Sequence, residues 1–147
     1  LLIDCGLFQG YKVLRERNRL AFPVAPESID AVVVTHAHLD HTGYLPALVR
    51  DGFRGAVHVT EGTRELLGLL RPDSADLQEE EARFAAKKGY SKHKRPTPLY
   101  TSADAERALA ALVAHPLGST TEPVPGVRAT FVRAGHILGA SQLSIAV

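Results

Sequence analysis

Four side chains of the kinds that bind divalent metal ions lie within one six-residue stretch of the sequence. They are His36, His38, Asp40 and His41, and they directly follow the β-branched run at residues 31–35. Imidazole nitrogens and carboxylate oxygens are the usual protein ligands of zinc. The two-residue spacing of His36 and His38 lets both rings face one ion from an extended segment, while Asp40 and His41 turn toward a second position. We therefore predict a metal-binding turn rather than an accidental grouping of histidines.

The predicted strands and helices explain how such a turn is positioned. Strands are predicted at residues 1–5, 29–34, 56–60, 127–133 and 142–147. Helices are predicted at residues 11–20, 43–51, 61–70, 74–88 and 101–114, with a break or kink at Pro72 and Leu66, Leu67 and Leu70 on an inner face. Alternation of strands and helices indicates an α/β layered domain, whose ligands bind at loops where strands end.

Three segments, in this order, resemble the metallo-β-lactamase fold hydrolases. Residues 36–41 (HAHLDH) are similar to the second motif of that family, residues 1–6 (LLIDCG) to the strand that ends in the first-motif Asp, and residues 134–141 (AGHILGAS) to the segment with the third-motif His. Further stretches resemble the β-CASP RNA nucleases, the relatives of RNase J and of the nuclease subunit of the cleavage and polyadenylation factor. These stretches are HTGYLP at 41–46, DSA at 73–75, PLYT at 98–101 and GHILGA at 135–140.

The resemblance implies an αββα sandwich that is incomplete in this chain. Residues 1–147 are expected to form one partial domain, with no second domain. A family member would also have an earlier β-hairpin, a fourth-motif Asp that bridges two metal ions, a β-CASP domain and a last His. Residues 139–147 contain no Asp, Glu or His that could replace the bridging carboxylate.

The resemblance also assigns roles to the metal-binding residues. His36, His38 and His136 would form a three-nitrogen site that leaves a position open for water. Asp40 and His41 would begin a second site and are the catalytic candidates. Two zinc ions, expected in the complete site, would share a hydroxide that cleaves phosphodiester bonds of RNA.

Asp4 and His136 each stand alone near a predicted strand end. Asp4 would orient a ligand imidazole through its other ring nitrogen; the alternative is a turn-forming Asp before Gly6. Gly135 and Gly139 allow close backbone approach to an ion or phosphate, which favours a ligand role for His136 over a structural one. The remaining histidines, His58, His93 and His115, are assigned no metal.

A basic run at residues 87–95 (KKGYSKHKR) offers a second possible contact with nucleic acid. It surrounds one aromatic side chain with five cations, of which Lys92, Lys94 and Arg95 are the candidates for RNA contact. The acidic residues 79–81 offset this charge, so we favour a solvated surface loop.

Composition limits the remaining possibilities. The chain has 147 residues, 45% of them hydrophobic and 22% charged, and its net charge of +1 gives no global electrostatic argument for a nucleic acid or a membrane surface. No apolar stretch approaches the roughly 20 residues of a membrane span. The single Cys5 excludes an intrachain disulfide framework and is expected to be a small buried side chain. We expect a cytoplasmic protein.

The leading hypothesis is a zinc-dependent ribonuclease-like hydrolase, with DNA as a possible substrate. One alternative is a hydrolase of a small thioester, lactone or lactam, but the roughly 95 residues between His41 and His136 exceed what a compact sandwich needs. Another is a non-catalytic fragment that binds RNA or protein, suggested by the missing fourth motif. Exposed sheet edges could also drive self-association.

Overall fold

A computed structural model describes residues 1–88 and 96–147, which form two packed sheets. The first sheet is parallel, in the order β1-β2-β3-β4. The second is antiparallel, in the order β5-β6-β7. The strands are β1 (Leu2–Ile3), β2 (Ala31–Val33), β3 (Ala56–Thr60), β4 (Leu112–His115), β5 (Thr120–Val124), β6 (Val127–Arg133) and β7 (Ser141–Ala146).

Helices connect the parallel strands. They are α1 (Lys12–Glu16), α2 (Leu39–Thr42), α3 (Leu45–Arg50), α4 (Glu61–Lys88) and α5 (Ser102–Ala110), with 3-10 turns at Arg17–Arg19 and Pro26–Ser28. A reciprocal capping box begins α5, because Thr101 Oγ1 accepts from the Asp104 backbone N–H and Asp104 Oδ2 accepts from the Thr101 N–H.

The core lies on both faces of the parallel sheet. On one face, alternate strand residues such as Val57 and Val59 pack with apolar side chains of α3, α4 and α5. On the other face, Val33 packs against Ala129 and Phe131 of the antiparallel sheet. A parallel sheet is normally covered on both faces, which accounts for the fully buried β2. These layers confirm the predicted α/β class and the incomplete sandwich.

A break or kink is predicted at Pro72, and the break is wrong, because α4 continues through this residue from Glu61 to Lys88. Proline removes one helix hydrogen bond, but packing of a continuous buried face on both sides of it can hold the helix together. That face consists of Thr63, Leu67, Arg71 and Ala75. Of the predicted inner residues, Leu67 is buried but Leu70 is 40% exposed. Ser74 does not cap a new helix; its Oγ lies 2.9 Å from the Tyr100 hydroxyl.

The predicted helix at 101–114 is wrong in its last four residues. The helix α5 ends at Ala110, and the next residues form β4, which pairs in parallel with β3. A short apolar run is compatible with either a helix or a strand, so pairing with the distant strand β3 determines which of the two forms here. The unpredicted β5 contains Pro123, which is tolerated there because β5 is an edge strand. The predicted strand at 56–60 matches β3.

Two histidines without a metal role lie between the sheets. His58 Nδ1 on β3 is 2.9 Å from His115 Nε2 on β4, and the His115 ring stacks on Phe131 of β6 with centroids 5.5 Å apart. Burial lowers the pKa of His58, with a further contribution from His115, and burial also lowers the pKa of His115. His115 is the last residue of β4, whereas the sequence placed it just after the predicted helix at 101–114.

We expect this pair to make the fold less stable in mild acid. Because folding lowers both pKa values, the unfolded chain binds more protons once the pH falls below about 6.5, and the free energy of unfolding then decreases. His115→Gln removes one of the titrating rings and should reduce the loss of Tm between pH 7 and pH 5. Thermal denaturation with chelator present measures this; an equal loss of Tm in the wild-type protein and the variant would contradict it.

Candidate metal centre

The turn that follows β2 brings the four predicted side chains to one edge of the parallel sheet. His36 and His38 lie on the extended segment before α2, and His38 occupies the position just before the first helical residue. Thr42 Oγ1 reaches back to the His38 carbonyl at 2.9 Å, which closes the turn. Asp40 and His41 lie within α2, directly after that segment.

Three imidazole rings converge although one comes from the far end of the chain. His36 Nε2 lies 3.1 Å from His38 Nδ1, and His136 Nε2 lies 3.2 Å from the same atom. All three ligand atoms lie within 4.8 Å of one another. Zinc–nitrogen bonds of about 2.0–2.1 Å in a tetrahedral site put ligand nitrogens roughly 3.3 Å apart. Two of the three donor distances therefore match one zinc ion with an open fourth position, and the third, between His36 and His136, is within 4.8 Å.

Asp40 and His41 form a second pair beside these rings. Asp40 Oδ2 lies 3.5 Å from His41 Nε2, and the His41 ring centroid is 4.0 Å from that of His36. The Asp40 side chain is 57% exposed, so a substrate or another ligand could reach it. Among the described residues, only the three-histidine group contains three close donors, and the Asp40–His41 pair supplies two.

Asp4 holds His41 in place. It follows β1 with φ of 56°, in the left-handed region that Asp and Asn tolerate better than most residues. Its Oδ2 accepts a hydrogen bond of 2.7 Å from His41 Nδ1. A carboxylate can only accept, so Nδ1 carries the proton and His41 Nε2 keeps its lone pair for a metal ion. Asp4 thus combines the turn conformation with the orienting contact that the sequence offered as alternatives.

Thr35 is the functional residue that sequence reasoning missed. Its hydroxyl donates to Asp4 Oδ2 at 2.8 Å and lies 3.0 Å from His36 Nδ1. Since the hydroxyl hydrogen is used on Asp4, His36 Nδ1 must donate, which leaves His36 Nε2 free to bind metal. The backbone N–H of Thr35 also donates to Asp4 Oδ1 at 2.8 Å. As the last residue of a β-branched run, Thr35 showed no signal that set it apart.

The loop with His136 is tied to the same turn. At its end, the backbone N–H and hydroxyl of Ser141 both donate to the Thr35 carbonyl, at 2.9 and 3.1 Å. Gly139 has a packing role that the sequence did not show, because its carbonyl accepts from Thr60 Oγ1 at 2.6 Å and a Cβ there would lie 2.2 Å from the Thr63 nitrogen. Gly139 thus allows close contact with α4 and fixes the loop on which His136 lies, while its approach to an ion or phosphate stays a prediction.

Electrostatics favour the neutral form of the His36 imidazole. Burial, followed by repulsion from His41, His38 and His136, lowers the pKa of His36. A neutral ring is the form that coordinates metal. Burial and the neighbouring Asp4 raise the pKa of Cys5 to about 12, and the residue is 4% exposed. This confirms the prediction that Cys5 is a small buried side chain.

Two expectations concern other surfaces. The proposed RNA contacts Lys92, Lys94 and Arg95, and also His93, lie outside the described residues. Within residues 1–88 and 96–147, none of the helices has the length and apolar character needed to cross a bilayer.

The fold and the converging histidines define the class of protein. The sequence profile of the metallo-beta-lactamase superfamily matches residues 1–135, and the chain belongs to that superfamily. Two solved structures share the fold. Zn²⁺-bound PqqB from Methylobacterium extorquens has a TM-score of 0.50 and 16% identity, over 98% of this chain and 44% of that one. A metallo-beta-lactamase from Cronobacter sakazakii, mutated in its HARLDQ motif, has a TM-score of 0.52 and 20% identity, over 97% and 47%.

More similar relatives have names that refer to RNA. The chain is 37% identical over 147 residues to the transcription termination factor FttA of Methanococcus maripaludis, a match that covers 96% of this chain and 20% of that protein. It is 33% identical over 141 residues to Ribonuclease TTHA0252 of Thermus thermophilus, covering 96% and 28%. These names agree with the RNA-nuclease branch that the sequence resembles. The chain spans less than a third of the length of either relative.

Proposed function

We propose that this chain carries the metal-binding part of a zinc-dependent hydrolase that cleaves phosphodiester bonds of RNA. The observation that carries the proposal is the convergence of His36 Nε2 and His136 Nε2 on His38 Nδ1, at 3.1 and 3.2 Å. The similarity to a ribonuclease and to a transcription termination factor supports RNA as the substrate class.

The residues present fit zinc. His36, His38 and His136 would hold one ion, and Asp40 with His41 would contribute to a second in the complete site. When bound, two zinc ions would lower the pKa of a shared water toward about 7 and stabilise the charge that develops on the phosphodiester.

The chain's own residues prepare this site before any metal binds. Thr35 and Asp4 fix which ring nitrogens of His36 and His41 carry protons, so both Nε2 atoms face the site as acceptors. The Ser141 contacts to the Thr35 carbonyl hold the His136 loop against the turn. Such preorganisation reduces the cost of gathering ligands from three distant parts of the sequence.

The test is cleavage of end-labelled single-stranded RNA by the purified chain supplied with zinc. We expect cleavage products that disappear when a chelator is added and return when zinc is restored. Matched single-stranded DNA, and a thioester and a lactone, serve as comparison substrates. Turnover of a thioester or lactone with intact RNA would contradict the proposal and favour a small-molecule hydrolase. RNA left intact after zinc loading would contradict it for this chain.

A further inference from the structure

A cleft opens beside the metal centre on the side of the segment that follows β1. Its volume is about 380 Å³, within the range of small-ligand sites. Asp4, which binds His41, lines the cleft together with Phe8 and Arg17. Phe22 and Tyr44, stacked with ring centroids 5.5 Å apart, form an apolar part of the wall. The cleft therefore shares one lining residue, Asp4, with the proposed reaction centre.

Phe8 is held in the cleft with its ring exposed. The Asn18 side chain accepts from the Phe8 backbone N–H at 2.8 Å and donates to the Phe8 carbonyl at 2.9 Å, so both polar backbone groups are bound. Phe8 as a whole is 46% exposed. The guanidinium carbon of Arg17 lies 4.4 Å from the ring centroid, in a cation–π contact. Asn18 and Arg17 therefore hold Phe8 in place, so that one aromatic ring and one cation lie side by side.

Positive charge is concentrated on the same segment. Residues 11–22 carry four cations and one acid, a net charge of +3, whereas the whole chain carries only +1. Of these charged side chains, Arg17 is the one that lines the cleft, and Glu16 Oε1 lies 3.7 Å from Lys12 Nζ. An aromatic ring within a local basic surface is how proteins bind single-stranded nucleic acid, through base stacking and phosphate contacts.

We propose that Phe8 and Arg17 form a nucleotide subsite, in which Phe8 stacks one base and Arg17 contacts its phosphate. The subsite rests on the proposed function, since it names where an RNA strand lies next to the bond that is cleaved. Because every base has a stacking face, this subsite accepts any nucleotide and positions the strand rather than selecting a sequence. It also gives the site a reason to prefer a single strand, in which a base is free to leave its neighbours.

Binding measurements on two oligonucleotides separate stacking from charge. The probes are a short phosphorothioate-linked oligouridine, which resists hydrolysis, and an abasic oligonucleotide with the same number of phosphates. Titrating each into the zinc-loaded chain, we expect Phe8→Ala to weaken oligouridine binding about tenfold and to leave abasic binding unchanged. Arg17→Ala should weaken binding of both probes and reduce the slope of log K against log salt by about one.

Two variants control for general effects. Phe8→Tyr keeps a stacking ring and should bind oligouridine like the wild type, and the unchanged abasic binding of Phe8→Ala excludes misfolding as the cause of its weaker oligouridine binding. Leu69→Ala removes an apolar side chain that is 72% exposed on α4 and should change neither affinity. Equal effects of Phe8→Ala on both probes, or no effect on either, would overturn the subsite. Phe8-dependent binding by a wild-type chain that cleaves no RNA would instead overturn only the proposed hydrolysis.

Discussion

Replacing His38 with alanine is expected to reduce RNA cleavage by roughly 10³-fold or more. His38 Nδ1 is the atom on which the other two histidines converge, at 3.1 and 3.2 Å, so its loss leaves two donors that no longer share a centre. A metal ion contributes several kcal/mol of charge stabilisation to such a reaction, and each 1.36 kcal/mol is a tenfold change in rate. The initial rate of cleavage of end-labelled RNA, at saturating zinc, measures the effect.

His115→Gln is the matched control for this experiment. It also replaces a partly buried imidazole that contacts another histidine, but His115 belongs to the pair between the sheets and not to the three-histidine group. We expect it to retain cleavage while His38→Ala loses it. Equal activity of His38→Ala and the wild-type protein, at matched zinc content, would contradict the assignment of this group as the reaction centre.

Changing Asp4 to asparagine is expected to lower zinc affinity and cleavage by about 10- to 100-fold, the usual range for a residue that orients a metal ligand. Asparagine tolerates a φ of 56°, so the backbone should be kept. Its amide, however, has one accepting oxygen where the carboxylate has two. Asp4 Oδ1 accepts from the Thr35 backbone N–H, whereas Oδ2 accepts from both the Thr35 hydroxyl and His41 Nδ1. One of these donors must then face the NH₂ group of asparagine. If that donor is His41 Nδ1, the ring can accept from the NH₂ group only when its proton lies on Nε2 instead.

The readout is a zinc titration, followed by cleavage at a zinc concentration that saturates both proteins. Asp30→Asn, an exposed change outside the site, is the control for loss of one charge. If saturating zinc restores full cleavage to Asp4→Asn, Asp4 acts on affinity alone. Wild-type zinc affinity in this variant would contradict the orienting role.

The metal turn was predictable because its four donors are close in sequence. Their identities and spacing carry the information, and the strand before them is short and β-branched. His136 and Asp4 needed the family resemblance, since nothing local shows that residues about 100 and 30 positions away meet the same turn. Thr35 could not be found in this way, because a threonine in a β-branched run is ordinary and only the folded contacts show its hydroxyl between Asp4 and His36.

The errors in the fold have a common physical origin. At Pro72 the local sequence favoured a break or kink, and at residues 112–114 it favoured a helix. Tertiary contacts produced a continuous helix at the first position and a strand at the second. The buried face of α4 outweighs one missing helix hydrogen bond, and pairing of Val57 with Leu112 and of Thr60 with His115 turns a helix-like run into β4. Neither outcome can be predicted from a window of a few residues, and the residues of β3 that pair with β4 lie 55 positions away.

Zinc content per chain, measured by elemental mass spectrometry on protein purified without chelator, tests the central claim most directly. His36→Ala serves as the paired sample, since it removes one of the three converging nitrogens and leaves Asp40 and His41 in place. The predicted result is at least one zinc ion per wild-type chain that is absent from the variant; a second ion would indicate that Asp40 and His41 also complete a site. A wild-type chain without zinc, or a variant that keeps all of it, would contradict the three-histidine metal centre.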